Sequence, residues 1–178
     1  TSPEQLPLTL EAVFGSPSLN GPSPRGLKLA PDGSMVTLLK NRVDDKDRYD
    51  LWAMELQTGE QRMLVDSEQV GTGAALSEAE KMQRERARIG GLKGIVSYEW
   101  SPDAQSILVP LDGDLYLANR DGEVRRLTET EAGELNPTLS PGGQYLSFVR
   151  DGAVMVQRVA GTDAAAITPD EPDAVEWG

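Results

Sequence analysis

The chain has 178 residues and carries 29 Asp plus Glu against 17 Lys plus Arg, a formal charge of −12, which argues against a surface built to neutralise nucleic-acid phosphates. It contains no Cys and no His, which excludes disulfides, thiolate chemistry, a Ser-His-Asp triad and a His-ligated metal within these residues. No apolar run approaches the ~20 residues needed to span a bilayer, while 18 Gly and 12 Pro with only 5% aromatics point to frequent reversals and an all-β fold.

The sequence opens on Thr1 rather than Met, so either a removed leader or a start inside the gene is expected. Further along, three segments share a turn flanked by apolar strands: LKLAPDGSMVTLL from Leu27, YEWSPDAQSILVP from Tyr98 and PTLSPGGQYLSFV from Pro137. In each, a proline (Pro31, Pro102, Pro141) presets the first turn dihedral and small residues accept the reversal, so each reads as a hairpin. A third alternating strand follows: DLWAMEL from Asp50, DLYLANR from Asp114 and AVMVQRV from Ala153. After a further turn comes a short fourth strand at Met63-Leu64, Val124 to Leu127 or Ala165 to Ile167.

The unit is therefore four strands, and Pro141 follows Pro102 by 39 residues, close to the ~40 to 50 of a propeller blade. Blades are expected over about 26–65, 95–128 and 135–168. Three blades do not close a ring, so the chain reads as the first part of a longer propeller.

Pro102 follows Pro31 by 71 residues, roughly 30 more than a blade requires. The excess holds the one convincing helix, Leu76 to Ile89 (LSEAEKMQRERARI), within an insertion over 74–90. Ala79, Met82 and Ile89 fall on one side of it with Arg86 among them, and Glu80, Arg84, Glu85 and Arg88 face elsewhere. Ser77 and Glu80 have capping-box spacing, and Gly90-Gly91 supplies a stop. Two readings stand side by side: a solvated face of mixed charge, or an arm presenting an arginine whose planar donors orient a carbonyl or carboxylate.

Asp44, Asp45, Asp47 and Asp50 gather in the loop Asn41 to Asp50, where close carboxylates can hold calcium. The loop lacks the central glycine and distal Glu of an EF-hand, and Lys46 and Arg48 interleave, which favours a solvated hairpin loop. Asp112 and Asp114 flank Gly113 as a turn does. Trp52, Tyr98, Trp100, Tyr116, Tyr145 and Phe148 mostly sit at alternating strand positions suited to packing between blades.

These residues resemble the dipeptidyl peptidase IV group of prolyl oligopeptidase-like serine peptidases, in their N-terminal propeller. LTLEAVF (Leu8 to Phe14) before GPSPRGLKLAPDG resembles the opening of bacterial members. KMQRERARIGGLKGIVSYEW is similar to their arginine-bearing helical segment and the strand that follows it. The resemblance implies an eight-bladed propeller capping an α/β-hydrolase domain that lies outside this chain. The parent enzyme would release Xaa-Pro or Xaa-Ala dipeptides from free N-termini, without cofactor or metal.

A Glu-Glu pair binding the substrate ammonium is expected just after DAVEWG, and the triad in the hydrolase domain, so no catalytic residue is carried over. What carries over is a substrate-binding arginine within RERAR. Arg84 is the first choice because it leaves the apolar side of the helix. Arg88 is second, and Arg86 is structural. The resemblance further implies a homodimer of the full-length protein and a periplasmic or secreted bacterial location. The Pro-Asp-Gly repeats alone also fit the periplasmic propeller of the Tol system, a non-enzymatic binder of a protein partner.

Overall fold

The computed structural model describes residues 24–168; the motifs LTLEAVF and DAVEWG lie outside them. Sheet 1 is β1 (Arg25–Leu29), β2 (Met35–Asn41), β3 (Arg48–Glu55) and β4 (Gln61–Val65), joined in sequence order. Sheet 2 is β6 (Glu99–Trp100), β7 (Ser106–Leu111), β8 (Asp114–Asn119) and β9 (Val124–Arg126). Sheet 3 is β10 (Leu135–Leu139), β11 (Tyr145–Arg150), β12 (Ala153–Arg158) and β13 (Ala164–Ala166). All neighbours within these three four-strand sets are antiparallel. Between sheets 1 and 2 lie α1 (Ser67–Val70), α2 (Glu78–Arg86) and β5 (Lys93–Gly94), and β5 adds to β3 in parallel.

The three proline turns close alike. Gly33 N donates to Ala30 O at 2.8 Å, Ala104 N to Ser101 O at 2.9 Å and Gly143 N to Ser140 O at 2.8 Å. The third turn residue is left-handed each time, with φ of 72° at Gly33, 59° at Ala104 and 68° at Gly143. The tight β7–β8 and β11–β12 reversals are Asp112-Gly113 and Asp151-Gly152, each with two positive φ values, the hairpin turn whose twist matches the strands.

Sheet 2 is sandwiched, which is why β7 reads as the continuous apolar run SILVPL instead of alternating. Ile107 and Val109 face sheet 1, packing with Met35, Leu39, Leu51, Ala53, Tyr116 and Trp100. Leu108 and Leu115 face sheet 3, packing with Leu139, Leu146 and Phe148. Pro110 has no N–H to donate, and the β6–β7 ladder ends at Leu108. Across the first interface Trp100 Nε1 donates to Thr37 Oγ1 at 2.9 Å, satisfying two buried polar groups. Of the six aromatics, Tyr98, Trp100, Tyr116 and Phe148 are buried and Tyr145 is exposed. Trp52 lies half-buried beneath the Lys40 ammonium, 4.1 Å from its ring centroid.

Strand direction puts the proline turns on one face of the three sheets and the β2–β3, β7–β8 and β11–β12 connections on the other. The proline-turn face is tied across sheets by Arg120, whose Nη1 lies 2.5 Å from Asp32 Oδ2. The Ser34 hydroxyl, the Ser34 amide and Arg120 hold the Asp32 carboxyl down to about 2 from its ordinary 3.8. A depressed folded value means that the contribution is complete above the ordinary carboxylate range and is lost as pH falls towards about 2. NMR titration of the Asp32 carboxyl is expected to show that midpoint; an ordinary one would dissolve the proposed tie.

Candidate functional site

The insertion is rooted in an ion cluster built around one buried carboxylate, Asp50. Arg42, one residue past β2, places Nε 2.9 Å from Asp50 Oδ2 and Nη1 2.9 Å from Glu68 Oε2, and pairs also with Asp66. Asp50 is 1% exposed, so it is no part of a solvated loop, and it accepts from Ser67 N at 2.8 Å. Asp66 caps α1 by accepting from Glu68 N at 2.9 Å and Gln69 N at 3.2 Å. Burial works against its ionisation, yet the two amides and Arg42 keep its pKa below the ordinary value.

Sheet 2 repeats the device. Asp114, first in β8 and buried, pairs with Arg126 and accepts from Thr130 N at 3.1 Å. An aspartate in the first half of the third strand, third in β3 and first in β8, thus pins the chain that leaves the fourth strand in both sheets. Sheet 3 has Ala153 there. Of the other loop carboxylates, Asp45 lies 3.3 Å from Lys93, and Asp44 is exposed. Among the described residues there is no group of three or more His, Cys, Asp or Glu able to hold a metal.

From this root the chain runs through Gly71 to Ser77, pinned where Gly73 N donates to Asp112 Oδ2 at 2.8 Å. The capping box forms: Glu80 N donates to Ser77 Oγ at 3.3 Å and Ser77 N to Glu80 Oε2 at 3.1 Å. The helix itself departs from the expected Leu76 to Ile89 and runs Glu78–Arg86. Its expected apolar side is not packed, since Ala79 and Met82 are exposed and no helix residue is buried. Ala79, Met82 and Ile89, of which only Met82 is both within the helix and larger than alanine, do not make a stripe wide enough to drive packing.

The expected glycine stop is also displaced. Ala87 is the C-cap, and Arg88 takes the left-handed position at φ 58°. Arg88 N donates to Glu85 O and Ile89 N to Arg84 O, both at 2.9 Å. This is a Schellman motif with arginine where glycine is usual, at a cost of about 1 kcal/mol.

The three arginines therefore differ in surroundings. Arg84 is half-buried and donates from Nη1 to Leu92 O at 3.0 Å, bracing the loop that follows the helix. Burial lowers its pKa from the ordinary value, opposed by the carboxylates of Glu80 and Asp112. Arg86, expected to be structural, is exposed, and so is Arg88. Among the described residues no hydrogen bond or ion pair reaches either guanidinium.

The chain returns through Lys93 N, which donates to Asp47 O at 2.8 Å, and Ile95 N, which donates to Tyr49 O at 3.0 Å. Gly94 lies between them at φ 72°, so close to the root that a Cβ would stand 2.8 Å from Ser67 Oγ. Outward, α2 lies across sheet 2 as far as sheet 3. The Glu80 carboxylate abuts Gly133, and Gln83 Nε2 donates to Asn136 Oδ1 at 2.7 Å. A cleft of about 550 Å³ opens beneath the start of the helix, walled by Ser77, Glu80, Asp112, Gly113, Glu129 and Gly133. The arrangement is an arm whose helix start roofs a carboxylate-rich cleft and whose later turns carry three arginines, Arg84, Arg86 and Arg88.

Asp50 and Asp114 went unread as site-builders, although the sequence shows them as Asp-Leu-aromatic at one strand position. Gln83 and Asn136 carry no such signal.

No family model matches the chain. Among solved structures it is similar to a candidate TolB of Agrobacterium tumefaciens, with TM-score 0.54 and 19% identity over 84% of this chain and 50% of that one. It is also similar to dipeptidyl peptidase 4 of Porphyromonas gingivalis, with TM-score 0.52 and 21% identity over 82% of this chain and 19% of that one. The chain thus spans half the length of the first and about a fifth of the second. No helix of the described residues is long and apolar enough to cross a membrane. Three successive four-stranded antiparallel sheets and these two likenesses show a segment of β-propeller fold.

Proposed function

We propose that the chain is the propeller part of a serine-type dipeptidyl peptidase releasing Xaa-Pro or Xaa-Ala dipeptides from free N-termini, and that its arm supplies a guanidinium to the bound peptide. The observation that carries this reading is Arg88, exposed, unpaired among the described residues and held in a left-handed conformation at the end of the helix. Strained residues of this kind cluster at ligand clamps. Arg84 is the other candidate; one of its five N–H donors is committed to Leu92 O. The RERAR motif and the likeness to a dipeptidyl peptidase 4 support the parent reaction.

In that reading the nucleophile and its partners sit in an α/β-hydrolase domain of the same protein, and carboxylates following this segment hold the substrate ammonium. Anchoring the ammonium two residues from the nucleophile makes dipeptide release the productive register. The segment by itself is inactive, and the parent is a periplasmic or secreted homodimer. In the parent enzyme, Arg88→Gly keeps the left-handed cap and removes the guanidinium, so kcat/KM is expected to fall about 10- to 150-fold, or ~1.5–3 kcal/mol. Arg84→Ala is expected to cost as much and also to loosen residues 87–92. Unchanged kcat/KM in both variants would end the arm's substrate role.

A second reading has support in the likeness to a candidate TolB: a non-enzymatic propeller that binds a protein partner. The gene beyond Gly178 separates the two. A Glu-Glu pair within one short helix, then a Gly-x-Ser-x-Gly elbow followed by Asp and His, belongs to the peptidase. Their absence would favour the binder.

A further inference from the structure

We propose that Asn136 is a positioning residue whose side-chain amide holds the arginine-bearing helix in place over the sheets. Its consequence for turnover rests on the peptidase reading above; the positioning itself does not.

The first supporting observation is a repeated bulge. β1 and β10 are the first strands of sheets 1 and 3, and both break register at the same place, between Arg25 and Lys28 and between Leu135 and Thr138. The first of the two residues within each break is left-handed: Gly26 at φ 59° and Asn136 at φ 50°. Sheet 1 uses glycine, which adopts this conformation freely. Sheet 3 uses a residue with a side chain, and follows it with Pro137, which favours extended backbone at position 136. The backbone therefore calls for glycine at this bulge, as in sheet 1. Asparagine tolerates the region better than most residues, but it offers nothing that glycine lacks except its amide.

The second observation is where that amide goes. Asn136 Oδ1 accepts from Gln83 Nε2 at 2.7 Å, across 53 residues of sequence. Because α2 buries none of its residues, its placement depends on polar ties. The Arg84 bond to Leu92 O stays within the insertion, whereas the Gln83 bond fastens the helix to sheet 3. Arg84 lies one residue after Gln83, and Arg88 five after, so this bond sets where the guanidinium groups stand.

The test is amide hydrogen exchange and steady-state kinetics on the full chain of the parent protein, in Asn136→Gly, Asn136→Asp, Gln83→Met and the double variant Gln83→Met/Asn136→Gly. Glycine suits the bulge, Asp retains an acceptor oxygen, and Met matches Gln in length and helix propensity. Exchange of the α2 amides is expected to rise about fivefold in Asn136→Gly and in Gln83→Met, as loss of one neutral hydrogen bond implies. The double variant should rise no further than either single one, and Asn136→Asp should stay near the parent. Thermal stability in Asn136→Gly should hold or increase. Unchanged exchange in both single variants, or additive rises in the double, overturns the proposal whatever the activity. Raised exchange with the expected non-additivity but no change in kcat/KM leaves the positioning role standing and removes the helix placement from turnover, whereas absence of any dipeptidyl peptidase activity in the parent protein removes the peptidase reading and leaves the exchange result to stand by itself.

Discussion

Glu134→Ala is expected to destabilise the protein by about 3–5 kcal/mol, the cost of leaving one member of a buried ion pair alone. The Glu134 side chain is fully buried, and its Oε1 lies 2.7 Å from Arg150 Nη2 at the end of β11. The same carboxylate accepts from Thr128 Oγ1 at 2.8 Å and Thr130 Oγ1 at 2.7 Å. Thr128 Oγ1 in turn accepts from Leu115 N at 2.9 Å. One carboxylate thereby joins sheet 2 to sheet 3 on the face that carries the arm. Alanine strands a mostly buried guanidinium and two hydroxyl groups together. The double variant Glu134→Leu/Arg150→Met removes both charges and is expected to recover most of the loss, because a buried pair is often replaceable by apolar residues of similar volume. Urea unfolding of the single and double variants measures the coupling; equal loss in both would mean that the pair is not what holds the two sheets.

Gly94→Ala is expected to cost roughly 2–4 kcal/mol, as a strained backbone and an overpacked contact combine. At φ 72° an L side chain is disfavoured, and the added Cβ would stand 2.5 Å from Tyr49 O and 2.8 Å from Ser67 Oγ. Neither neighbour can give way. Tyr49 O belongs to β3 and accepts from Ile95 N, while Ser67 is buried and its amide is bonded to Asp50. The substitution should therefore undo the parallel pairing of β5 and release the returning end of the insertion, with sheets 2 and 3 left intact. Hydrogen exchange resolves this: protection lost at Lys93 and Ile95, whose amides bond to Asp47 O and Tyr49 O, with that of β7 and β11 retained. Retained protection at Ile95 would show that the return is held some other way.

The strands and turns were readable because their signals are local. Pro-Asp-Gly and Asp-Gly turns between alternating apolar positions specify hairpins within a dozen residues. The root and return of the insertion were not readable, for the opposite reason. α1 has four residues announced only by Asp66, and β5 has two, paired in parallel with a strand about 45 positions earlier. Such contacts leave no periodicity. The helix start was legible from Ser77 and Glu80, but its end was not, because Arg88 occupies the position that Gly90-Gly91 seemed to claim. A wheel also overstated Ala79, Met82 and Ile89, since a pattern records which residues are apolar and not whether any surface comes to meet them. The sites of Arg84 and Arg88 differ through one bond to Leu92 O, which spacing along a helix does not show.

Ser67 and Gly94 stand against each other beside the start of β3, and that proximity has a meaning for how the fold can vary. Everything between them leaves and rejoins the sheet at nearly one point, like a loop drawn through a clasp. Chain closed in this way is inexpensive to lengthen, since doubling a loop adds only about 0.6 kcal/mol of closure entropy. The arm is therefore an exchangeable module: a different helix, a longer one or none could be spliced between the same two residues, altering what the face recognises while the blades beneath it fold as before.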